Sequence, residues 1–195
     1  MKERPIIFTS ENVLAIKSGI KTQTRRLKFR CEPGDILWVK ESWKPYWWEE
    51  DGYVAPCYKA DGEKGGQQEL FPDDISGDQF NDWWMNLGEK LERKKCPKND
   101  DGNYIDVMDY LQWSPAIFMP KSMSRFRLTV IHVRREKLQD ITETDAIWEG
   151  AQGGGTHPDF WAGAFRDIWD GINKKRGYGW ETNPAVEVID FERNE

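Results

Sequence analysis

The segment Phe126–Val133, with the sequence FRLTVIHV, repeats apolar side chains at every second position. Successive side chains of a β-strand point to opposite faces, so this spacing predicts a strand with one buried face. The segments AVEVIDFE at 185–192 and ILWVKE at 36–41 are also rich in β-formers, and the second is expected to be a central strand. Shorter extended segments are expected at 6–8 and 22–27.

Helical segments are predicted between these strands from their caps and apolar spacing. Ser10 starts a short helix, which Gly19 ends because glycine tolerates the left-handed backbone. Further helices are expected at about 78–95, at 142–150 behind a Thr-x-x-Asp capping pattern, and from Pro158 onward. Short strands with a few short helices predict an α+β fold with a small twisted or closed sheet.

The length of 195 residues fits about one domain, and 38% apolar residues are enough for a globular core. No apolar run is long enough for a membrane-spanning helix, and the first residues, MKERPIIF, lack the apolar centre of a signal peptide. Three widely spaced cysteines argue against a disulfide framework. We therefore expect a cytoplasmic protein without a membrane partner, built as a single domain over 1–195.

The net charge of −6 conceals segments of opposite sign. Residues 1–45 carry a net +5, 46–112 carry −9, 113–140 carry +4 and 141–195 carry −6. If folding brings the two basic segments together, a phosphate-bearing partner is favoured despite a pI near 5.2. Charged segments that merely face solvent are the alternative.

The stretch from about 46 to 112 differs from the rest of the chain in composition. It contains Asp-Gly pairs at 51, 61 and 101 and several prolines, which favour turns. Inside it, one apolar stripe at helical spacing marks the predicted helix at 78–95. We interpret this stretch as an insertion into the main fold.

The densest polar segment is GIKTQTRR at 19–26. Neighbouring cations such as Arg25 and Arg26 would lower the pKa of a partly buried Lys21, and a neutral lysine can take a proton from a hydroxyl. In an extended segment, however, Lys21 and Thr24 point to opposite faces, so a catalytic pair needs a turn or bulge between them. An exposed basic turn that binds nothing is the alternative.

No metal site and no cofactor are expected. The Cys and His residues, at 31, 57, 96, 132 and 157, show none of the close pairs typical of zinc ligands. The glycines at 153–155 lack the strand, helix and lysine of a phosphate-binding loop. Most of the 11 tryptophans are expected in packing, and a few are candidates for a base-stacking pocket.

An ordered set of short motifs extends over most of the chain. In sequence order they are Gly19-x-Lys21-Thr22-x-Thr24-x-Arg26, Pro33-Gly34-Asp35 with Leu37-Trp38-Val39-x-Glu41, Trp113-x-Pro115 with Met119-Pro120, Leu138-Gln139-Asp140-Ile141-Thr142 with Asp145-Ala146 and Glu149-Gly150, Trp169-Asp170-x-Ile172-Asn173, and Asn183-Pro184. In this set the chain resembles ASCH domains of the PUA-like superfamily, in the longer form common in bacteriophage and prophage genomes. The stretch 46–112 matches little of the pattern, as a family-variable insertion would.

The resemblance implies an α+β fold, namely a PUA-like mixed β-barrel flanked by short helices, with a cleft facing RNA, a nucleoside or a nucleotide. The motifs are also similar to those of a small bacterial amidohydrolase that removes the acetyl group from N4-acetylcytidine with a lysine, a threonine and a glutamate. By motif, these catalytic residues fall on Lys21, Thr24 and Glu149. Substrate-binding residues are expected at Thr22, Arg25, Arg26, Trp38, Glu41 and Trp43.

Two functions of different classes remain open, with a third beside them. The first is a hydrolase that removes an acyl group from a modified pyrimidine nucleoside. The second is a non-catalytic module that binds RNA, single-stranded or at a modified base, and the basic segments at 25–30 and 125–135 favour it. The third is a phage interaction or assembly factor, working in the host cytoplasm, which the acidic helix at 78–95 would favour.

Overall fold

The computed structural model describes residues 1–49, 52–73, 78–151 and 160–194, which fold into two compact units. The first unit consists of Met1–Pro5, Glu11–Trp38 and Phe126–Glu195. The second consists of Ile6–Ser10 and Val39–Arg125, so it takes in more of the chain than the predicted insertion at 46–112.

The strands of the described residues form two sheets. The strands are β1 (Glu3–Ile7), β2 (Gln23–Arg26), β3 (Ile36–Lys40), β4 (Trp43–Trp48), β5 (Tyr53–Tyr58), β6 (Gln68–Glu69), β7 (Arg127–Lys137) and β8 (Ala185–Arg193). One sheet has the order β1-β3-β7-β8-β2 and the other the order β4-β5-β6. The predicted strands are therefore confirmed, with β7 in the middle of the larger sheet and β3 beside it.

The helices of the described residues are short except for two. They are α1 (Ser10–Lys17), α2 (Asp78–Arg93), α3 (Val107–Tyr110), α4 (Glu143–Trp148) and α5 (Phe160–Asn173). Single 3₁₀ turns lie at Ala116–Phe118, Lys121–Met123, Leu138–Asp140, Lys174–Arg176 and Trp180–Thr182. The mixture of two sheets and a few helices confirms the α+β class. The predicted helix start at Pro158 and the glycines at 153–155 lie outside the described residues.

The central strand β7 departs from regular alternation where its sequence does. In FRLTVIHV the period of two breaks at Ile131, and the pairing of β7 with β8 shifts register between Val130 and His132. A bulge leaves one extra residue on a strand, and here Ile131 is 47% exposed while Val130 is buried. The rest of β7 runs antiparallel to β3 on one side and to β8 on the other.

The first unit has a core between α5, α4 and the larger sheet. Its buried members are Leu138, Ile141, Ala146, Ala151, Phe165, Trp169, Val186 and Val188. Alternate residues of β8 and one face of α5 supply half of this cluster, as their apolar spacing predicts. This packing fixes α4 against β2 and β8, where the polar residues described below converge.

The second unit buries apolar side chains of its own. Its three-stranded sheet was not predicted from the sequence. Its clusters are formed by Trp43, Val54, Tyr58, Leu70, Phe80, Met119 and Met123, and by Leu87, Leu91, Cys96 and Val107. The Asp-Gly pairs predict turns, and two of their glycines, Gly52 and Gly62, have φ of 95° and 72° and lie on either side of β5. Tight turns of this kind connect antiparallel strands.

Candidate functional site

The backbone at Lys21 is held by the end of α1. Gly19 has a φ of 76°, which turns the chain out of the helix, and the Lys21 N–H donates to the Ala15 carbonyl at 3.0 Å. The next residue, Thr22, donates its N–H to the Trp148 carbonyl at 2.9 Å. The chain entering β2 is therefore tied to both α1 and the last turn of α4.

Glu149 is positioned by the start and the end of α4. Thr142 and Asp145 form the predicted capping box, in which each side chain accepts from the other's backbone N–H. At the other end, Gly150 has a φ of 81°. A Cβ on Gly150 would lie 3.0 Å from the Cβ of Ala15 and 3.3 Å from that of Lys21, so only glycine allows α4 to end this close to Lys21.

Lys21 and Glu149 form a buried ion pair. The Lys21 Nζ donates to Glu149 Oε2 at 2.8 Å and to the Glu149 carbonyl at 2.6 Å. Arg25 donates to the other carboxylate oxygen, Oε1, at 3.2 Å. Lys21 is 3% exposed, Arg25 4% and Glu149 5%. A carboxylate that bridges two buried cations in this way is shielded from competition by water.

The pair belongs to a larger polar network in the first unit. Arg25 also pairs with Glu136 at 2.6 Å and Asp145 at 3.4 Å. Gln23 joins Asp145 to Asp190 with its amide nitrogen, at 3.1 and 2.6 Å. Arg134 completes the network through Asp145, Glu136 and Asp190. The Nε–H of Arg25 is buried and has no hydrogen-bond partner among the described residues.

Burial has opposite consequences for two groups of the network. It is the largest influence on the pKa of Lys21 and lowers it below the ordinary 10.5, opposed by Glu149 and reinforced by Arg26 and Arg25. Burial alone would raise the pKa of Asp145, but hydrogen bonds from Thr142 and Gln23 and the charge of Arg25 hold it below 3.8. Lys21 is thus brought closer to deprotonation, whereas Asp145 is kept ionised.

Thr24 lies on the other face of β2. Gln23 and Arg25 contact the network, and adjacent residues of a strand point to opposite faces. Thr24 is opposite Ile189 of β8 and is 3% exposed. The alternation noted in the sequence therefore persists. Lys21 and Arg25 contact Glu149, and Gln23 contacts Arg25, Asp145 and Asp190.

The expected substrate-binding residues lie in both units. In the first, Thr22 is exposed, Arg25 is buried in the network, and Arg26 and Trp38 are partly buried. Burial lowers the pKa of Arg26, and the negative charge of Glu149 opposes this shift. Arg26 therefore interacts electrostatically with the same carboxylate as Lys21 and Arg25. Glu41 and Trp43 belong to the second unit.

Glu41 and Trp43 both make contacts within the second unit. The carboxylate of Glu41 accepts from Arg125 Nε and Nη2 at 2.8 and 2.9 Å. Trp43 is 3% exposed and packs in an apolar cluster with Val54 and Tyr58.

Several members of the network were missed by sequence reasoning. Gln23, Glu136, Arg134 and Asp190 have no motif of their own, and Asp145 is predicted as a helix cap and as part of the motif set, without a role in the site. One signal was available, since Gln23 shares the strand parity of Arg25. Arg134 and Glu136 are two positions apart on β7, so their side chains lie on the same face of the strand. Both contact the network from that face.

The comparisons with known proteins give one similar structure. No protein-family model matches the sequence, and no curated protein matches it. Among solved structures, the chain is similar to the crystal structure of an ASCH domain from Lactobacillus crispatus JV V101. The alignment covers 98% of this chain and 79% of that chain, with 11% sequence identity and a TM-score of 0.43.

No helix in the described ranges of the chain combines the length and apolar character needed to cross a membrane. No group of three or more His, Cys, Asp or Glu side chains in the same ranges is arranged to hold a metal ion.

Proposed function

We propose that this chain is an ASCH-type, PUA-like domain that acts on a nucleoside or on RNA, and that it hydrolyses the amide of an N-acylated cytidine. The observation that carries the proposal is the buried contact between Lys21 and Glu149, two of the three residues suggested by motif. The proposal includes a single domain over 1–195 with a closed mixed barrel, an insertion at about 46–112, and a cytoplasmic location in a bacterial or phage-infected cell. No metal or cofactor takes part.

Lys21 is the proposed general base. Burial lowers its pKa, and a deprotonated amine can accept a proton from an attacking hydroxyl. Displacement of the Glu149 carboxylate from Nζ by a bound substrate would remove the interaction that opposes this shift. Substrate binding and activation of the base would then be the same event.

Thr24 is the proposed nucleophile. Its Oγ attacks the acyl carbonyl while its proton passes to Lys21, which gives a tetrahedral oxyanion. Collapse of this intermediate breaks the C–N bond, the proton held by Lys21 passes by way of Glu149 to the leaving cytosine amine, and an acyl-threonine ester remains. A water molecule then hydrolyses the ester and restores Thr24, so the net reaction consumes one water for each amide.

Direct attack by water is an alternative mechanism, which the position of Thr24 on β2 favours. Thr24 occupies the face of β2 opposite Arg25, so its hydroxyl has to reach the substrate from that side. In the water variant, Lys21 activates the water and no acyl-enzyme forms.

The test is incubation of the full chain with a panel of N4-acylated cytidines and chromatographic detection of cytidine. We expect turnover by the wild type and a loss on the order of a hundredfold or more in Lys21→Met and Glu149→Gln. Thr24→Ala should lose as much and Thr24→Ser should retain activity. Wild-type turnover in Thr24→Ala would remove the acyl-enzyme and leave attack by water.

Asp35→Asn is the matched control for loss of a buried carboxylate in the same unit. Asp35 accepts from the Lys2 N–H at 2.7 Å and from Arg4 at 3.3 Å and has no contact with the network given above. Its variant should keep turnover per folded molecule. If the wild type leaves every acylated cytidine intact, the hydrolase is rejected.

Binding without catalysis is the second candidate, because Lys21 in the free protein is within ion-pair distance of Glu149, which favours its charged form. Such a module would bind RNA or a modified base and leave it intact. Retained binding of a cytidine-containing RNA with no turnover would establish this alternative. Charge reversal at Arg26 should then weaken binding and reduce its salt dependence.

A further inference from the structure

The second unit contains a cavity of about 390 Å³ that the proposed hydrolase does not use. Its walls include Trp43, Trp83, Trp113 and Tyr110, and two lysines, Lys90 and Lys94, line it as well. Ligand pockets typically have volumes of about 300–1,000 Å³, so this one is large enough for a small molecule. All of these residues belong to one unit and to the described chain.

One face of α2 supplies both the aromatic and the cationic lining. Trp83, Lys90 and Lys94 are separated by seven and four residues, which places them along one side of the helix and its end. Both lysines are exposed, and none of the described residues that line the cavity is acidic. The lining is therefore positive although the segment 46–112 carries a net −9.

Trp43, which also lines the cavity, carries a buried donor. Its indole N–H has no hydrogen-bond partner among the described residues, and Trp43 is 3% exposed. The side chain also packs in the apolar cluster with Val54 and Tyr58. It is therefore a fixed part of the cavity wall.

The remaining aromatic wall is held in place by cations. The Nζ of Lys44 lies 4.7 Å from the ring centre of Trp113 and donates to the carbonyls of Met108 and Leu111. Lys94 donates to the Tyr110 carbonyl at 2.6 Å. These contacts preorganise the segment 110–113 as a wall, which lowers the entropic cost of binding.

We propose that this cavity binds a nucleotide, with the planar base against the tryptophans and the phosphate at Lys90 and Lys94. Aromatic side chains bind bases by stacking, and Trp83 and Trp113 are the partly exposed tryptophans of the lining. An uncharged aromatic ligand would leave both lysines unused, and a bare anion would leave the tryptophans unused. The site is independent of the Lys21–Glu149 pair and does not require the proposed hydrolysis.

The test is calorimetric titration of the full chain with 5′-CMP, 5′-AMP, cytidine, inorganic phosphate and a single-stranded RNA hexamer. We expect the mononucleotides to bind at least about tenfold more tightly than cytidine or phosphate, because only they engage both parts of the site. Tighter binding of the hexamer, competed by 5′-CMP, would assign the nucleotide to an RNA strand. Tighter binding of the mononucleotide would show that the ligand is a free nucleotide and not part of an RNA strand.

Variants assign the binding to this cavity. Lys90→Glu with Lys94→Glu should weaken mononucleotide binding at least about tenfold and reduce its salt dependence. Trp113→Leu should weaken it by roughly 5- to 100-fold, and Trp113→Phe should restore part of the loss. Arg93→Glu is the control, since Arg93 is an exposed cation of the same helix that does not line the cavity.

Three results would overturn the proposal. They are no detectable heat from any nucleotide at about 1 mM, equal binding of phosphate and mononucleotide, and unchanged binding in the double lysine variant. Glu149→Gln, which tests the hydrolase, should leave this binding intact, so the two proposals fail separately. Thermal unfolding of each variant checks that the second unit remains folded.

Discussion

The Nζ of Lys21 lies 2.8 Å from the Oε2 of Glu149, although the two residues are 128 positions apart in the sequence. Arg25, four residues after Lys21, contacts the other oxygen of the same carboxylate. The carboxylate therefore neutralises two buried cations at once. Removing Glu149 and removing Lys21 should therefore have different effects on stability.

Glu149→Gln should destabilise the protein more than Lys21→Met. Loss of Glu149 leaves Lys21 and Arg25 buried side by side, and an uncompensated buried charge costs about 3–5 kcal/mol. Loss of Lys21 leaves Glu149 paired with Arg25, so a smaller cost of roughly 1–3 kcal/mol is expected. Urea unfolding of both single variants and the double variant measures these differences.

The double variant should cost less than the sum of the two single variants, because residues in contact are coupled. Lys28→Met, at an exposed lysine of the same unit, should stay within about ±0.5 kcal/mol of the wild type. Equal effects of the two single variants, or strict additivity, would show that the ion pair contributes nothing specific.

Gly150→Ala should destabilise the protein more than Gly19→Ala. Both glycines have positive φ, 81° and 76°, and an alanine in that region costs about 1–2 kcal/mol. A Cβ on Gly150 would in addition press on Lys21 and Ala15, whereas a Cβ on Gly19 meets nothing within 4 Å. Thermal unfolding of the two variants separates strain from contact.

The same two variants also distinguish a local change at the site from a loss of stability. Gly150→Ala displaces Glu149 from Lys21 and should reduce turnover of an acylated cytidine in proportion to that displacement. Gly19→Ala should keep the turnover of the wild type per folded molecule. A larger stability loss in Gly19→Ala would contradict the role of the close contact at Gly150.

Much of the larger sheet could be predicted from the sequence because its signals are local. Alternation in β7 and β8, and caps at Ser10 and Thr142, depend only on neighbouring residues. The sheet of β4, β5 and β6 could not be predicted in this way. β4 and β5 each contain a proline, which argues against a strand, and β6 has only two residues. Their pairing depends on the turns between them, and turn residues alone do not specify which strands pair.

The site could be predicted only where a motif pointed to it. Motifs point to Lys21 and Glu149, and the polar segment 19–26 points to Arg25, but their contact depends on the packing of α4 beside β2, which has no local sequence signal. Asp190 and Glu136 come from β8 and β7 and reach the same network through strand pairing. Such long-range convergence depends on register, and one residue of slip would turn each side chain to the other face.

Arg125→Lys should destabilise the second unit nearly as much as Arg125→Met. Arg125 makes two parallel hydrogen bonds to Glu41 and another to Asp61 at 3.0 Å, and its guanidinium lies 4.2 Å from the ring centre of Tyr58. A lysine offers neither the planar fork nor the stacking surface. Glu41 is 2% exposed, so loss of its partner should cost about 3–5 kcal/mol.

Chemical denaturation followed by tryptophan fluorescence measures this cost, and Arg93→Lys on the exposed face of α2 is the control. Burial already raises the pKa of Glu41, and Arg125 opposes the rise. The Arg125→Met variant should therefore recover part of its lost stability on acidification, when Glu41 becomes neutral. A full rescue by lysine would show that charge alone, without the fork, holds Glu41.

Asp145 should contribute stability that disappears in acid. Hydrogen bonds from Thr142 and Gln23 and the charge of Arg25 outweigh burial and keep its folded pKa below 3.8. The unfolded chain therefore binds a proton before the folded chain does, and the contribution is complete above the unfolded pKa and is lost as the pH falls through the folded one. The difference in unfolding free energy between wild type and Asp145→Asn should be constant near neutral pH and should shrink below about pH 3.8.

Urea unfolding at a series of pH values gives this difference, with Asp167→Asn as the control for loss of an exposed charge. Thr142→Ala, which removes one of the hydrogen bonds, should cost about 1 kcal/mol and move the acid limb of the curve to higher pH. A difference that stays constant through the acid range would mean that Asp145 is held by packing rather than by its charge.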